Sequence, residues 1–590
     1  MNDRRSTEGL DVCKLRSLVR LYIDKHQYES AHFWADKLAS LSDDDVGDTY
    51  WLAQTLYLTG QYHRAAHLLQ SKKLNKVNKA CQYLTAKCYA AVREWEEAIN
   101  ILDASDNSIK TPGKVKEEDL ASPGGVDVQE IPLQNVESSV CLLRGQVYEA
   151  MENRVLAAEN YRQALQQDPY CYEAFELLVK HQMLAANEER ALLESLPLNK
   201  NCRLAELEVV KSVYETILKK YDKPAVTSLL PCLEPLKNNS DVVTCLAERH
   251  YYNCDFRTCH KITTEVLNKD PYHEACLPLH IATLVELRKS NDLFYLAHKL
   301  VDLYPSRPIS WFAVGCYYYL VGKNDSARRF FSKATTLDRL YGPAWLAFGH
   351  SFAAEGEHDQ AMAAYFTASQ LMKGCHLPLL FVGLEYGLTK NFKLAEKFFD
   401  QALAIAPSDP FVLHEMGVVE FHNGDWDQAE QYFMKALAVV HTLGTQDIPE
   451  KWEPLLNNLG HVCRKLKKYE QALEFHRQAL VLCPHSPSSY SAIGYVYTLM
   501  GDFAMAIDYF HKALGLGRRY VFSETMLARA IELFILETSS SDASAVSSHP
   551  CLEMSVFVSV HTQVPFLCEF ASQYWARIIN SSRGVSCLWS

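Results

Sequence analysis

The sequence predicts an all-α fold, a superhelical solenoid of about thirteen or fourteen stacked helix pairs. Three observations predict it. The stretch WFAVGCYYYLVGKNDSARRFFSKATTL, beginning at Trp311, is followed by WLAFGHSFAAEGEHDQAMAAYFTASQL, beginning at Trp345, with the same residue types in the same order thirty-four residues on. Small residues recur at fixed places within that period. Prolines and glycines recur between them, where helices would stop and the chain would turn.

With Pro308 as position 1, position 8 is Gly315, Gly349, Gly383 and Gly417, and position 20 is Ala327, Ala361, Ala395 and Ala429. Position 24 is Phe331, Tyr365, Phe399 and Phe433, and position 27 is Ala334, Ala368, Ala402 and Ala436. After an insertion near HTLGTQDIPEK the frame resumes with Gly460, Ala472 and Ala479, then Gly494, Ala506, Phe510 and Ala513. This is the tetratricopeptide pattern, a helix–turn–helix of about 34 residues. The first helix of a repeat must touch its own second helix and the first helix of the next repeat, and such close approach needs small side chains. Prolines at position 32 (Pro169, Pro271, Pro305, Pro407, Pro484) end the second helices. LTGQY, HNGDW and LMGDF read as the turns between paired helices.

The frame extends towards the N-terminus through repeats beginning near Glu274, Ser240 and Ser138, and divides the chain into six segments. Residues 1–103 read as N-terminal repeats, and 104–137, rich in Asp, Ser, Gly and Pro, as a disordered insertion. Residues 138–239 read as repeats that are partly degenerate, with Pro224, Pro231 and Pro235 disturbing them, and 240–443 as regular repeats. Residues 444–535 hold the last repeats and a capping helix, and 536–590 an atypical, poorly ordered tail. A repeat cannot bury its apolar face alone, so stacking is what makes the core.

At 590 residues, with 48% hydrophobic and 22% charged residues, the composition is that of a folded soluble protein. A formal charge of -12 argues against a nucleic-acid binder, which needs a concentrated basic surface. No apolar leader and no run of eighteen apolar residues is visible, so an intracellular protein without a membrane span is expected. The 18 cysteines are scattered through helical segments and fit reduced, buried thiols.

No phosphate loop, dinucleotide fingerprint, nucleophile elbow or zinc-protease motif is present, so neither catalysis nor a cofactor is expected. In HEMGVVEFH the second histidine follows His414 by eight residues where a zinc helix needs four. HYYNCDFRTCH offers His250, Cys254, Cys259 and His260, but Cys259 occupies position 20, a small-residue slot, so no metal is expected there. The run RKLKKYEQ reads as a solvated helix end for its lysines. Arg464 stands apart, because it falls at position 12.

In such a superhelix, positions 5, 9, 12 and 13 are expected to face the inner groove. They include Tyr251, Phe312, Tyr319, His350, His414, Phe421, Asn457, His461, Arg464 and Tyr495, a mixture of aromatic, imidazole, amide and guanidinium groups suited to clamping a peptide. An enzyme carrying a repeat appendage lacks room for its catalytic domain, since some fifty-five residues follow the repeats. A helical-repeat RNA reader would need a basic groove. A co-chaperone gripping C-terminal carboxylates, or another peptide-binding adaptor, remains an alternative, for which Asn457 and Arg464 make a partial match.

The stretches LAERHYYNCDF, LFYLAHKLVDLYP, WFAVGCYY, YGPAWLAFGHSFAAEGEHDQAMAAYFTASQLMKGCHLP and WEPLLNNLGHVCRKLKKYEQAL carry a further signal. Through them residues 14–535 resemble the family of the sixth subunit of the anaphase-promoting complex, or cyclosome. The resemblance implies a non-catalytic scaffold in a multisubunit ubiquitin ligase that drives mitotic progression and exit. It implies homodimerisation through residues 12–105, contacts with other repeat subunits, and enclosure of a small accessory subunit's N-terminal segment in the Tyr319–Tyr495 groove. It also implies a phosphoprotein of nucleus and cytoplasm, at the centrosome and spindle in mitosis. The tail departs from the family, whose members end in a polar, acidic extension, whereas this chain ends in VFVSVHTQVPFLCEFASQYWARIINSSRGVSCLWS.

Overall fold

A computed structural model describes residues 11–42, 45–104, 136–198, 204–218, 230–442, 448–516 and 521–540. The expected insertion and tail fall almost wholly outside the described residues. Among those described, every regular element is a helix, and helices pair in sequence order. The residues form two compact units, 1–178 with 194–202, and 179–193 with 203–590.

The first unit contains the pairs Val12–Asp24 with Tyr28–Leu41, Val46–Leu58 with Tyr62–Ser71, Lys79–Val92 with Trp95–Asp103, and Val136–Ala150 with Arg154–Gln167. Asp11, Asp45 and Asn78 cap three first helices by accepting backbone N–H bonds. The division between units runs through Tyr172–Lys180 and Ala186–Ser195, within the segment whose repeat signal is weak.

The second unit holds eight regular pairs. Their first helices are Ser240–Tyr252, Cys276–Glu286, Pro308–Leu320, Gly342–Ala353, Leu377–Leu388, Pro410–Asn423, Glu453–Lys465 and Pro487–Met500. Their second helices are Phe256–Lys269, Ser290–Leu303, Asn324–Leu337, His358–Leu371, Phe392–Ile405, Trp426–Thr442, Tyr469–Leu482 and Phe503–Leu516, and Val521–Ser540 follows the last pair. The helices Phe392–Ile405 and Tyr469–Leu482 stop just before the prolines Pro407 and Pro484 that precede the next repeat, whereas Asn324–Leu337 ends before Asp338 with no proline.

The period is written in side-chain contacts. The position 8 glycines lie flat against the position 24 rings: a Cβ on Gly315, Gly349, Gly383 or Gly417 would stand 2.4, 2.3, 2.4 or 2.7 Å from the ring of Phe331, Tyr365, Phe399 or Phe433. Gly460 faces His476 and Gly494 faces Phe510 in the same way, and Gly145 faces Tyr161 in the first unit. Ala327, Ala361, Ala395 and Ala429 are wholly buried at the helix crossings. The recurring tryptophans have a separate reason. The indole N–H groups of Trp311 and Trp345 donate to the carbonyls of Pro305 and Arg339 at 2.7 and 3.0 Å, closing the loop that joins one repeat to the next.

Position 15 carries a constraint that residue type does not reveal. Its backbone is left-handed in every regular repeat: Gly322, Gly356, Gly424 and Gly501 sit there, but so do Cys254, Arg288, Lys390 and Lys467, with φ of 62, 53, 62 and 62°. A side chain at such φ costs about 1 kcal/mol relative to glycine. Lys390 is exposed, so Lys390→Gly is expected to stabilise the second unit by about 0.5–1 kcal/mol in urea titrations. No gain would mean that the turn relaxes without strain.

Candidate partner-binding groove

The ten residues expected on the inner surface divide into buried and half-exposed sets. Those at position 5 are core. Phe312 is fully buried and packs on Phe331 and Tyr341 at ring distances of 6.0 and 5.6 Å. His414 is buried 5.3 Å from the Phe433 ring, bonding Asn458 through Nε2 at 2.9 Å. Asn457 is buried, accepting from His476 Nδ1 at 2.9 Å and donating to Ser489 Oγ at 2.7 Å. The cause is common to all three: position 5 lies over the position 24 ring, so it seals the pair instead of facing outward.

Two others are also buried. His350, at position 9, accepts from the Tyr365 hydroxyl at 2.7 Å and stands edge-on to Phe381 at 4.4 Å, and burial lowers its pKa to about 3. Tyr251 is 1% exposed against Phe256, with rings 5.2 Å apart. The expectation that these five residues line an open groove is therefore corrected. They shape the wall from behind.

Tyr319, Phe421, Arg464 and Tyr495 remain half-exposed, and three of the four occupy position 12. The Arg464 guanidinium lies 4.9 Å over the Tyr495 ring, and burial lowers its pKa below the ordinary value. The acids at Glu430 and Glu453 are committed elsewhere, to Lys468 at 2.7 Å and to Asn457 and Ser489. Behind Arg464, the imidazoles of His461 and His476 meet at 5.0 Å; burial holds His461 well below the ordinary range and His476 at about 3, so both are neutral beside the cation.

Further along the inner surface is a cavity of about 750 Å³. Cys254, Phe256, Val285, Tyr319, Leu320 and Ile448 give it apolar walls, and Asp255, Arg257, Glu286, Arg288, Glu450 and Lys451 supply three acids and three cations. Positional reading missed all of these except Tyr319. The available signal was Glu286, at position 13 of the repeat that begins at Glu274, together with the insertion that delivers Ile448–Lys451.

The metal and membrane questions have plain answers among the described residues. No group of three or more His, Cys, Asp or Glu side chains could hold a metal ion. Cys259 is buried against Thr283 Oγ1 at 3.3 Å, with burial pushing its thiol up to about 12. No helix is long and apolar enough to cross a membrane.

Helix pairs interlocked through glycine, alanine and a buried ring at a thirty-four-residue period, with polar and aromatic groups on the inner surface, define a tetratricopeptide-repeat protein. The tetratricopeptide repeat family profile matches residues 410–484 and 453–519, and the family described as "Anaphase-promoting complex, cyclosome, subunit 3" matches residues 24–105. Cell division cycle protein 16 homologs of Mus musculus and Homo sapiens are each 59% identical, over 88% and 89% of this chain and 84% and 85% of theirs. A solved structure, "Crystal structure of APC/C hetero-tetramer Cut9-Hcn1", is 34% identical with a TM-score of 0.72, covering 88% of this chain and 96% of that one. The chain belongs to the family of cell division cycle protein 16 homologues, the tetratricopeptide subunit six of the anaphase-promoting complex.

Proposed function

We propose that this chain is a non-catalytic scaffold of the ligase, and that its inner groove receives the N-terminal segment of a small accessory subunit. The observation that carries the groove assignment is Arg464. A half-exposed guanidinium, stacked on Tyr495 and backed by neutral imidazoles, has donors to offer a partner's carbonyls or carboxylate. Tyr319 and Phe421 add half-exposed aromatic surface at the equivalent position of other repeats. The Cut9-Hcn1 complex supports the same class of partner.

Its hetero-tetrameric composition also supports a chain that pairs with a second copy of itself, as proposed through residues 12–105, where Leu21, Phe33 and Leu41 are 45, 55 and 47% exposed. Other repeat subunits of the ligase would stack on the outer faces, and the assembly would act in nucleus and cytoplasm, and at centrosome and spindle in mitosis. The alternative of a carboxylate-clamp co-chaperone loses support, because Asn457 is engaged inside the core.

Titration calorimetry with the accessory subunit tests the groove. Arg464→Glu combined with Tyr319→Ala is expected to weaken binding by thirtyfold or more, about the effect of losing one central anchor. Unchanged affinity would place the site elsewhere. Affinity purification from dividing cells tests the scaffold reading, which expects the other ligase subunits in stable stoichiometry.

A further inference from the structure

The helix Val521–Ser540 begins thirty-four residues after Pro487, where the first helix of another pair belongs, yet among the described residues no second helix follows it. One of its faces is settled. Ala530 is wholly buried, and Met526 and Leu527 pack with Ala506 and Phe510 of the pair before. The face that would meet a second helix is open. Position 8 in the two preceding repeats is Gly460 and Gly494, each closed over by a ring of its own second helix, His476 or Phe510. Here it is Ala528, which is exposed. Position 11 is Cys463 and Tyr497 in those repeats, 1% and 8% exposed, whereas Ile531 is 38% exposed. Alanine at position 8 does not itself exclude a second helix. Ala53 and Ala86, the eighth residues of their first helices, are wholly buried in apolar clusters with Leu69 and Leu102 of their second helices.

The chain itself holds a segment that fits. Residues 541–590 follow this helix, and within them PFLCEFASQYWARII, residues 565–579, has helical spacing. Leu567, Phe570, Ala571, Tyr574 and Ile578 recur at intervals that set them on one face, with Glu569, Ser572 and Gln573 on the other. Pro565 suits a first helical turn and Asn580 a C-terminal cap. The segment is within one residue of the fourteen in the second helices Tyr469–Leu482 and Phe503–Leu516. Residues 541–564 can span about 80 Å when extended, far more than the roughly 30 Å of the helix they must double back along. Lengthening the closing loop costs little further entropy. Tethered to the same helix, the segment meets this face at an effective concentration that a separate chain does not reach.

We propose that residues 565–579 fold back as the missing second helix, covering Ala528 and Ile531 and closing this end of the solenoid. The expectation of a poorly ordered tail then narrows to the residues on either side of this segment. Closure keeps another repeat protein from continuing the stack at this end, which leaves the outer faces for neighbouring subunits. The experiment is hydrogen–deuterium exchange of the full-length protein, read by peptide mass spectrometry at several protein concentrations. Amides of 566–578 should exchange at least about tenfold more slowly than in a free 565–579 peptide, at every concentration. Ala528→Arg, at an exposed helical site that arginine suits, should remove that protection and leave Pro487–Met500 unchanged. Phe570→Glu should do the same from the other side of the contact. No slowing in the full-length protein would overturn the proposal, as would slowing that survives either substitution. Slowing that appears only as concentration rises would also overturn it, and would assign the face to a second copy of the chain.

Discussion

Gly349→Ala is expected to destabilise the second compact unit by about 3 kcal/mol, measured by urea denaturation of the full chain. The added Cβ would stand 2.3 Å from Tyr365 Cε1 and 2.6 Å from Cδ1, inside any tolerable contact. The ring cannot yield. It is 1% exposed, its hydroxyl is held by His350 at 2.7 Å, and Phe381 stacks on it at 5.4 Å. Moving the helices apart instead would open the alanine crossings of the same repeat. The same substitution should grade with the distance from the added Cβ to the nearest ring. At Gly494 the nearest ring atom would be 3.0 Å away, so Gly494→Ala should cost about 1 kcal/mol. At Gly387 nothing lies within 4 Å, and Gly387→Ala should be neutral or stabilising by up to about 1 kcal/mol, the ordinary helix preference of alanine. Equal effects at the three glycines would refute interlock as the basis of the period.

That gradation also separates what the sequence reveals from what it hides. Glycine at 8, alanine at 20 and 27 and an aromatic at 24 are legible because sterics leave no other residue room, so the fold follows from residue type alone. Direction into the groove is weaker information. Position 5 looks like groove surface from helix geometry, yet Phe312, His414 and Asn457 all turn against the position 24 side chain and are buried. Position 12 lies about two helical turns further along the first helix; Tyr319, Phe421 and Arg464 stay half-exposed there, whereas Tyr251 at the same position is buried against Phe256. The cavity was hidden for a different reason. Glu286 and Lys451 are 165 residues apart in the chain, and repeat periodicity describes only neighbours in sequence.

Acidification from pH 7 to pH 5 is expected to remove several kcal/mol from the second unit, well above the range in which ordinary carboxylates titrate. Burial lowers His350 and His476 to about 3 and His280 to about 4, and holds His461 well below its ordinary value. In the unfolded chain each takes a proton near pH 6.5, while the folded chain keeps it neutral. The unfolded state therefore binds more protons, and stability falls as pH drops through 6.5 and continues to fall towards 4. His350, His476 and His280 each contribute a loss of about 2 kcal/mol between pH 7 and pH 5. Glu385 and Glu420 act in the opposite sense, since burial raises their carboxyls and the folded state then gains protons first. Substitution at one site removes that complication. His476 fills the slot that Phe399, Phe433 and Phe510 fill elsewhere, so His476→Phe should retain the packing against Gly460. It leaves the Asn457 carbonyl without its imidazole donor, which lowers stability by a similar amount at both pH values. The difference between urea stabilities at pH 7 and pH 5 should nevertheless shrink by about 2 kcal/mol. An identical difference in the two proteins would mean that His476 is already charged in the fold, and the neutral imidazole layer behind Arg464 would have to be abandoned.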